Sequence, residues 1–271
     1  MSNIEKVFQK LKAKGDGALI GYVTGGDPEP RFTPVIAEAL IKGGVDIIEL
    51  GIPFSDPIAD GPTIQAASVC ALEAGTTPKV VLGMAGEIKR KYSVPVVLLT
   101  YYNPIFRMGL ENFFRLASNF GVDGVVVPDL PVEEADEYRE AARTCGVDTI
   151  FLAAPSTSME RLRKIVGCTS GFLYLVSHFG VTGERATLED STVQLIKKVR
   201  PYTAGRVPLA VGFGVSKPEH SRYIIDAGAD GVIVGSAFVN IVHEHQGDVG
   251  RMLEEIEKTA HKLKEATKRR P

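Results

Sequence analysis

Gly44-Val45-Asp46-Ile47-Ile48-Glu49-Leu50 is one of four copies of a short pattern in this chain. The others are Gly121-Val122-Asp123-Gly124-Val125-Val126-Val127, Gly146-Val147-Asp148-Thr149-Ile150-Phe151-Leu152 and Gly228-Ala229-Asp230-Gly231-Val232-Ile233-Val234. Each copy follows an amphipathic segment. The glycine stops a helix, a tight turn follows, and the apolar run is a short buried strand. Four more strand-like runs lie between the copies, at residues 18–24, 95–101, 171–177 and 207–211. Helical periodicity covers residues 33–41, 64–74, 111–119, 132–143, 159–166, 193–199, 218–227 and 252–266, and an extra helix is expected over 3–14, before the first strand. Strands apolar on both faces and joined through helices imply a parallel sheet. Eight β/α units in 271 residues have the size and rhythm of a TIM (β/α)8 barrel. The expected fold is therefore α/β, a TIM barrel with an extra N-terminal helix, forming a single domain over residues 1–271. The alternative, a doubly wound open sheet, would carry a GxGxxG fingerprint after its first strand, and none is present.

The repeat supplies an internal comparison. The position of Glu49 is held in the other copies by Val126, Phe151 and Ile233. Side chains alternate along a strand, which places Val45, Ile47 and Glu49 on one face, pointing into the barrel, and Ile48 and Leu50 on the other. A buried carboxylate without a partner costs several kcal/mol or shifts its pKa upward. No Lys or Arg stands at an inward strand position to pair with it. Glu49 is thus a candidate acid or base at the C-terminal end of a barrel strand, where TIM barrels keep their chemistry.

The strand runs on into Gly51-Ile52-Pro53-Phe54-Ser55-Asp56-Pro57-Ile58-Ala59-Asp60-Gly61-Pro62. Its prolines and Gly61 stiffen the segment that carries Asp56 and Asp60. Asp60 fits a helix cap before a helix starting near Thr63, or a second acid reaching over the same barrel mouth. Asp56 fits an Asx turn before Pro57. After the seventh and eighth strands stand Gly212-Phe213-Gly214 and Gly235-Ser236, with a helix starting at Ser236. Glycines admit a ligand close to the backbone, and free N–H groups at a helix start favour an anion. These two loops are the usual phosphate site of the fold, so a phosphate-ester substrate is expected. No Walker motif is present. Residues 179–190 are polar and aperiodic, and fit a lid over such a substrate.

Net charge is −2, which gives no basic field for nucleic acid or an anionic membrane. No apolar run reaches the roughly 18 residues of a membrane helix, and the opening MSNIEKVFQKLKAKG has no secretory h-region. Cys70, Cys145 and Cys168 are odd in number and lack metal-site spacing, which favours a reducing cytoplasm. His243 and His245, two apart, do not share a helix face and are expected on the surface.

Taken together, several motifs resemble those of the tryptophan synthase alpha subunit family. They are Tyr22-Val23-Thr24-Gly25-Gly26-Asp27-Pro28, the stretch from Glu49 to Pro62, Thr100-Tyr101-Tyr102-Asn103-Pro104 and Pro128-Asp129-Leu130-Pro131-Val132-Glu133-Glu134. Tyr174-Leu175-Val176-Ser177, Gly180-Val181-Thr182-Gly183, Gly212-Phe213-Gly214-Val215-Ser216 and Val234-Gly235-Ser236-Ala237 follow in family order. The resemblance implies a lyase that cleaves indole-3-glycerol phosphate to indole and glyceraldehyde 3-phosphate. It implies that Glu49 is the general acid/base and that Asp60 holds the indole N–H. It implies phosphate binding by Gly183, Gly214, Gly235 and Ser236, and an indole pocket of Tyr22, Leu99, Tyr101, Phe213 and Ile233. Tyr174 matches a tyrosine beside the catalytic glutamate, and Thr182 matches a lid residue that meets the aspartate on closure.

The resemblance also implies a beta-subunit partner in a linear αββα complex with an indole tunnel. Pyridoxal phosphate is expected in that partner, with no cofactor and no metal in this chain. The loops from Pro53 to Asp60 and from Tyr101 to Phe106 match partner-facing surfaces, with Pro53, Asp56, Pro57 and Asn103 expected there. The pair His178-Phe179 departs from the family's bacterial members, which often carry Arg-Ala or similar. Two alternatives stand beside this reading: another phosphate-ester lyase or isomerase on the same barrel, and a non-catalytic subunit that only gates a partner. A Schiff-base aldolase would need a lysine at a strand end, and no inward position supplies one.

Overall fold

Nine strands, all paired in parallel, form one sheet in the computed structural model, which describes residues 1–177, 185–212 and 214–269. They are β1 Ala18–Thr24, β2 Ile47–Gly51, β3 Val96–Leu99, β4 Gly124–Val126, β5 Asp148–Ile150, β6 Leu152–Ala153, β7 Leu173–Val176, β8 Leu209–Gly212 and β9 Gly231–Val234. The spatial order is β5-β4-β3-β2-β1-β9-β8-β7-β6. The two ends of this order, β5 and β6, are separated in the chain by Phe151 alone, whose carbonyl accepts the Tyr174 N–H at 3.0 Å. Two short pieces thus make one barrel strand, and the sheet closes with eight.

Inside the barrel, Ile20, Ile47, Val97, Val126, Ile150, Ala210 and Ile233 belong to one buried cluster. Ile4, Phe8 and Leu11 of the extra helix, Asn3–Ala13, join it. That helix lies across the N-terminal ends of the strands. A Cβ on Gly124, the first residue of β4, would sit 3.0 Å from Ile4, and one on Gly231, the first of β9, would sit 3.2 Å from Phe8. Ser2 and Glu5 form a capping box at its start, which fixes where the plug begins. The opposite strand faces, including Ile48, Leu50, Val125, Val127, Val232 and Val234, pack against the outer helices. Hydrophobic burial on both faces is what a parallel sheet requires.

The aspartate of the repeat anchors strands at this lower end. The Asp46 carboxylate accepts the Leu19 N–H of β1 at 2.8 Å and the Lys264 ammonium at 2.7 Å. Asp123 accepts the Val96 N–H at 2.8 Å and the Lys89 ammonium at 2.9 Å. Asp230 accepts the Leu209 N–H at 2.8 Å and pairs with Arg200. In each case the aspartate's own N–H donates to the same residue's carbonyl, so both sides of one strand residue are fixed. The third copy departs: Asp148 Oδ2 is buried without a hydrogen-bond partner among the described residues.

The structure corrects the sequence reading in four places. Val126 pairs with Ile150, and residues opposite each other in a sheet share a face, so Ile150 fills the barrel and Phe151 does not. Phe151 packs outside, its ring 6.3 Å from that of Tyr138, and is no counterpart of Glu49. Val45 precedes β2 and packs with the outer cluster, away from Ile47 and Glu49. The helix expected over 132–143 is a short 3-10 turn, Val132–Glu134, followed by an α-helix over Asp136–Thr144. Two helices, Pro78–Lys91 and Tyr102–Met108, went unread because their sequences mix glycine, proline or adjacent aromatics into the periodicity.

Candidate active site

Glu49 places a carboxylate in the upper part of the barrel interior. It stands near the C-terminal end of β2, fully buried, opposite Tyr22 of β1 and Val97 of β3. Neither carboxylate oxygen has a hydrogen-bond partner among the described residues. Burial, and secondly the charge of Asp60, push its pKa up to about 8. At neutral pH the neutral acid is the dominant form.

Asp60 lies between β2 and the helix Pro62–Glu73. The helix cap is Gly61, with no side-chain cap bond, so Asp60 does not cap it. Its half-buried carboxyl is pushed up to about 6 by burial, opposed by a hydrogen bond from the Tyr101 hydroxyl. Asp60 is therefore mostly ionised at neutral pH while Glu49 is not. Environments that separate two acids in this way assign one the proton and the other the charge.

Two tyrosines share this mouth. Burial raises the hydroxyl pKa of Tyr174, and the Glu49 and Asp60 charges raise it further. Tyr22 is raised by burial and then by Asp60, and its hydroxyl lies 3.1 Å from Thr24 Oγ1. Both rings need glycine beside them. A Cβ on Gly51 would sit 2.3 Å from the Tyr22 hydroxyl, and one on Gly212 would sit 2.7 Å from the Tyr174 hydroxyl. A contact under 3.0 Å forces the ring to shift, so these glycines make the room. Sequence reasoning missed both, along with Ile64, Ala67 and Val239, which pack with Tyr22 and Leu99 in an apolar cluster. Helical spacing in the loop-following helices was the available signal, but it does not say which turn meets the barrel mouth. Tyr101 is buried just past β3, and its ring stacks on Phe54 at 5.3 Å. Ile233 stays in the inner cluster.

At the anion end expected from the sequence, the groups on offer are backbone. Gly214 has φ 79°, a left-handed conformation suited to glycine. Gly235 caps the helix Ser236–Glu244, whose first N–H groups have no intrahelical acceptor. A Cβ on Gly235 would meet Tyr22 at 3.2 Å, so glycine keeps the two strand ends close. Thr182, Gly183, Phe213, the His178-Phe179 pair and residues 180, 181 and 184 of the expected lid lie outside the described residues.

Around the mouth, Asp56 is exposed and accepts a hydrogen bond from the Ser55 hydroxyl, Asn103 is exposed, Pro57 is half-buried and Pro53 is buried. Ile58 and Phe106 stand out at 81% and 66% exposure. His243 is not the plain surface residue expected: its Nε2 lies 2.9 Å from the buried Asp27 Oδ2. Among the described residues no cluster of His, Cys, Asp or Glu could hold a metal, and no helix is long and apolar enough to cross a membrane.

A closed parallel barrel with two interacting acids at the carboxyl ends of its strands has the architecture of a TIM-barrel enzyme. The model of the tryptophan synthase alpha chain family matches residues 8–268, and the chain belongs to that family. The tryptophan synthase alpha chain of Methanopyrus kandleri is 48% identical over 265 residues, covering 98% of this chain and 94% of that protein. That of Methanoregula boonei is 47% identical over 266 residues, covering 98% of each. Among solved structures, the alpha subunit from Legionella pneumophila superposes with a TM-score of 0.90 at 34% identity, covering 98% of both chains. A tryptophan synthase structure from M. tuberculosis gives 0.88 at 32% identity, covering 99% of both.

Proposed function

We propose that Glu49 and Asp60 divide the proton work of the reaction this chain catalyses, the cleavage of indole-3-glycerol phosphate to indole and glyceraldehyde 3-phosphate. Indole is a poor leaving group until its C3 is protonated. Neutral Glu49 delivers that proton, and the ring nitrogen becomes cationic. Ionised Asp60 accepts the ring N–H and stabilises the cation. The C3 side-chain bond then breaks, its electron pair restoring the indole ring. The adjacent glycerol hydroxyl loses its proton to the Glu49 carboxylate and becomes the aldehyde. Glu49 ends neutral, as it began.

Tyr22, Leu99, Tyr101, Phe213 and Ile233 form the indole wall in this reading, with Tyr174 beside Glu49. Gly214, Gly235 and Ser236, joined by Gly183, take the phosphate, and Thr182 meets Asp60 when the lid closes. The indole passes to the beta subunit, where we place pyridoxal phosphate; this chain contributes no cofactor. We place the protein in the cytoplasm and treat residues 1–271 as one domain.

The observation that carries the reading is a fully buried, unpartnered Glu49 at a strand end beside a half-buried Asp60, an arrangement that pushes the first up to about 8 and the second only to about 6. It is tested by indole release from indole-3-glycerol phosphate, with and without a beta subunit. Glu49→Gln is expected to abolish release while folding and partner binding survive. Asp60→Asn is expected to lose ~10²–10⁴-fold, the range of a positioned catalytic group. Near-normal release by the first variant removes Glu49 from the acid/base role. A loss below about tenfold in the second returns Asp60 to a loop role. No release by the unmodified chain under either condition defeats the whole reading.

A further inference from the structure

We propose that Tyr101 is a positioning residue that fixes Asp60 over the barrel mouth, through one hydroxyl shared between the Ala59 backbone and the Asp60 carboxylate. The inference rests on the role of Asp60 given above. The Ala59 N–H donates to the Tyr101 hydroxyl at 2.9 Å. A phenol has one proton, and with its oxygen accepting from Ala59 that proton is free to point to an acceptor. The next residue in the chain, Asp60, supplies one, and the hydrogen bond lowers the carboxyl pKa against the effect of burial.

The ring of Tyr101 is held as firmly as its oxygen. It is 2% exposed and stacks on Phe54 at 5.3 Å, near the start of the same segment. Tyr101 thereby touches the segment at both ends. Between them the segment is held by its own turns, Ile58 N–H to the Asp56 carbonyl and Asp60 N–H to the Pro57 carbonyl. Ile58, at 81% exposure, adds little packing. The place of Asp60 is thus set by a residue that follows β3, one strand away from the β2 that carries Glu49. Ring and hydroxyl have separable tasks: the ring lines the pocket and packs on Phe54, and the hydroxyl orients the anion and keeps it ionised.

Tyr101→Phe keeps the ring and removes only the hydroxyl. The expected result is a fall of about tenfold to a hundredfold in kcat for indole release, with KM within about threefold. The acid limb of the kcat–pH profile should move to higher pH, because the bond that favours the ionised carboxyl is gone. A purely structural loosening would lower kcat without moving that limb. Carboxyl NMR of protein labelled at aspartate gives an activity-free readout. A resonance absent from Asp60→Asn should titrate near pH 6 in the unmodified chain and higher in Tyr101→Phe. An unmoved acid limb and an unmoved resonance in Tyr101→Phe overturn the inference while the role of Asp60 stands. Near-normal release by Asp60→Asn overturns both.

Discussion

Burial without a hydrogen-bond partner makes the neutral form of Glu49 the stable one, and this leaves a signature in folding as well as in catalysis. Below the ordinary pKa of 4.5, native and unfolded chains both hold the proton. Between 4.5 and about 8 the unfolded chain ionises while the native one stays neutral. Stability therefore falls through this window, at up to ~1.4 kcal/mol per pH unit from this group. Above about pH 8 both states are ionised and the loss levels off. Glu49→Gln cannot ionise. Its stability relative to the unmodified chain, from urea midpoints, should rise steadily from pH 5 to 8 and then plateau; a difference constant across that range would show that Glu49 is not perturbed. The sequence singled out Glu49 against Val126, Phe151 and Ile233, and of these Val126 and Ile233 do hold the inward position. Asp60 had no such contrast, since a helix cap explained it equally well until the structure gave that place to Gly61. Gly51 and Gly212 were illegible because the reason for each is a tyrosine on a neighbouring strand.

At the scale of the element, the repeat unit proves to be a strand with its anchor attached. The Gly-x-Asp turn was legible as a helix stop. That its aspartate clamps the previous strand was not, because the clamp needs the register Asp46 to Leu19, Asp123 to Val96 and Asp230 to Leu209. The third copy shows the limit of pattern matching. Its barrel strand is interrupted at Phe151, and Thr149 N–H takes the Ser170 hydroxyl at 2.8 Å in place of a carboxylate clamp. This contrast predicts opposite results from removing the charge of each aspartate. Asp46→Ala leaves the Leu19 N–H without its acceptor and the largely buried Lys264 ammonium without its counter-charge, with only the Gly17 carbonyl still accepting from it. It should cost about 2–4 kcal/mol in urea unfolding, with indole release at low temperature retained, since the site is at the other end of the barrel. Asp148 is raised in pKa chiefly by burial, and its Oδ2 has no partner among the described residues. Asp148→Asn removes a charge that burial disfavours and that hydrogen bonds from Ser2 and Ser170 only partly offset, so it should leave stability unchanged or raise it near neutral pH. Equal destabilisation by the two would show that the third copy is anchored like the others.

The molecule as a whole separates its two ends. The N-terminal end is plugged by Ile4, Phe8 and Leu11 and clamped by Asp46, Asp123 and Asp230, while the two acids, the glycine-rich loops and the exposed Ile58 and Phe106 stand at the other. Eight β/α units made this architecture legible, because a closed barrel satisfies every strand without an edge. What the repeat does not encode is how the loops above it meet a second protein. Ile58 and Phe106 flank the mouth on the two segments joined by Tyr101, and Phe106 lies in the helix Tyr102–Met108 with Asn103. Large apolar side chains exposed among polar neighbours suit a protein interface, where aromatic anchors contribute most. Their neighbours Asp56 and Pro57 share that surface in our reading, while Pro53 is buried. Phe106→Ser should weaken binding to the beta subunit at least tenfold, the scale of losing a buried aromatic anchor of about 1.4 kcal/mol or more. Indole release by the isolated chain should change less than twofold, because Phe106 stands outside the buried pocket. Titration calorimetry and the release assay read the two effects separately. Unchanged affinity would move the contact surface away from this helix. An equal fall in isolated activity would instead show that the helix shapes the pocket through Tyr101, the residue at its N-terminal cap.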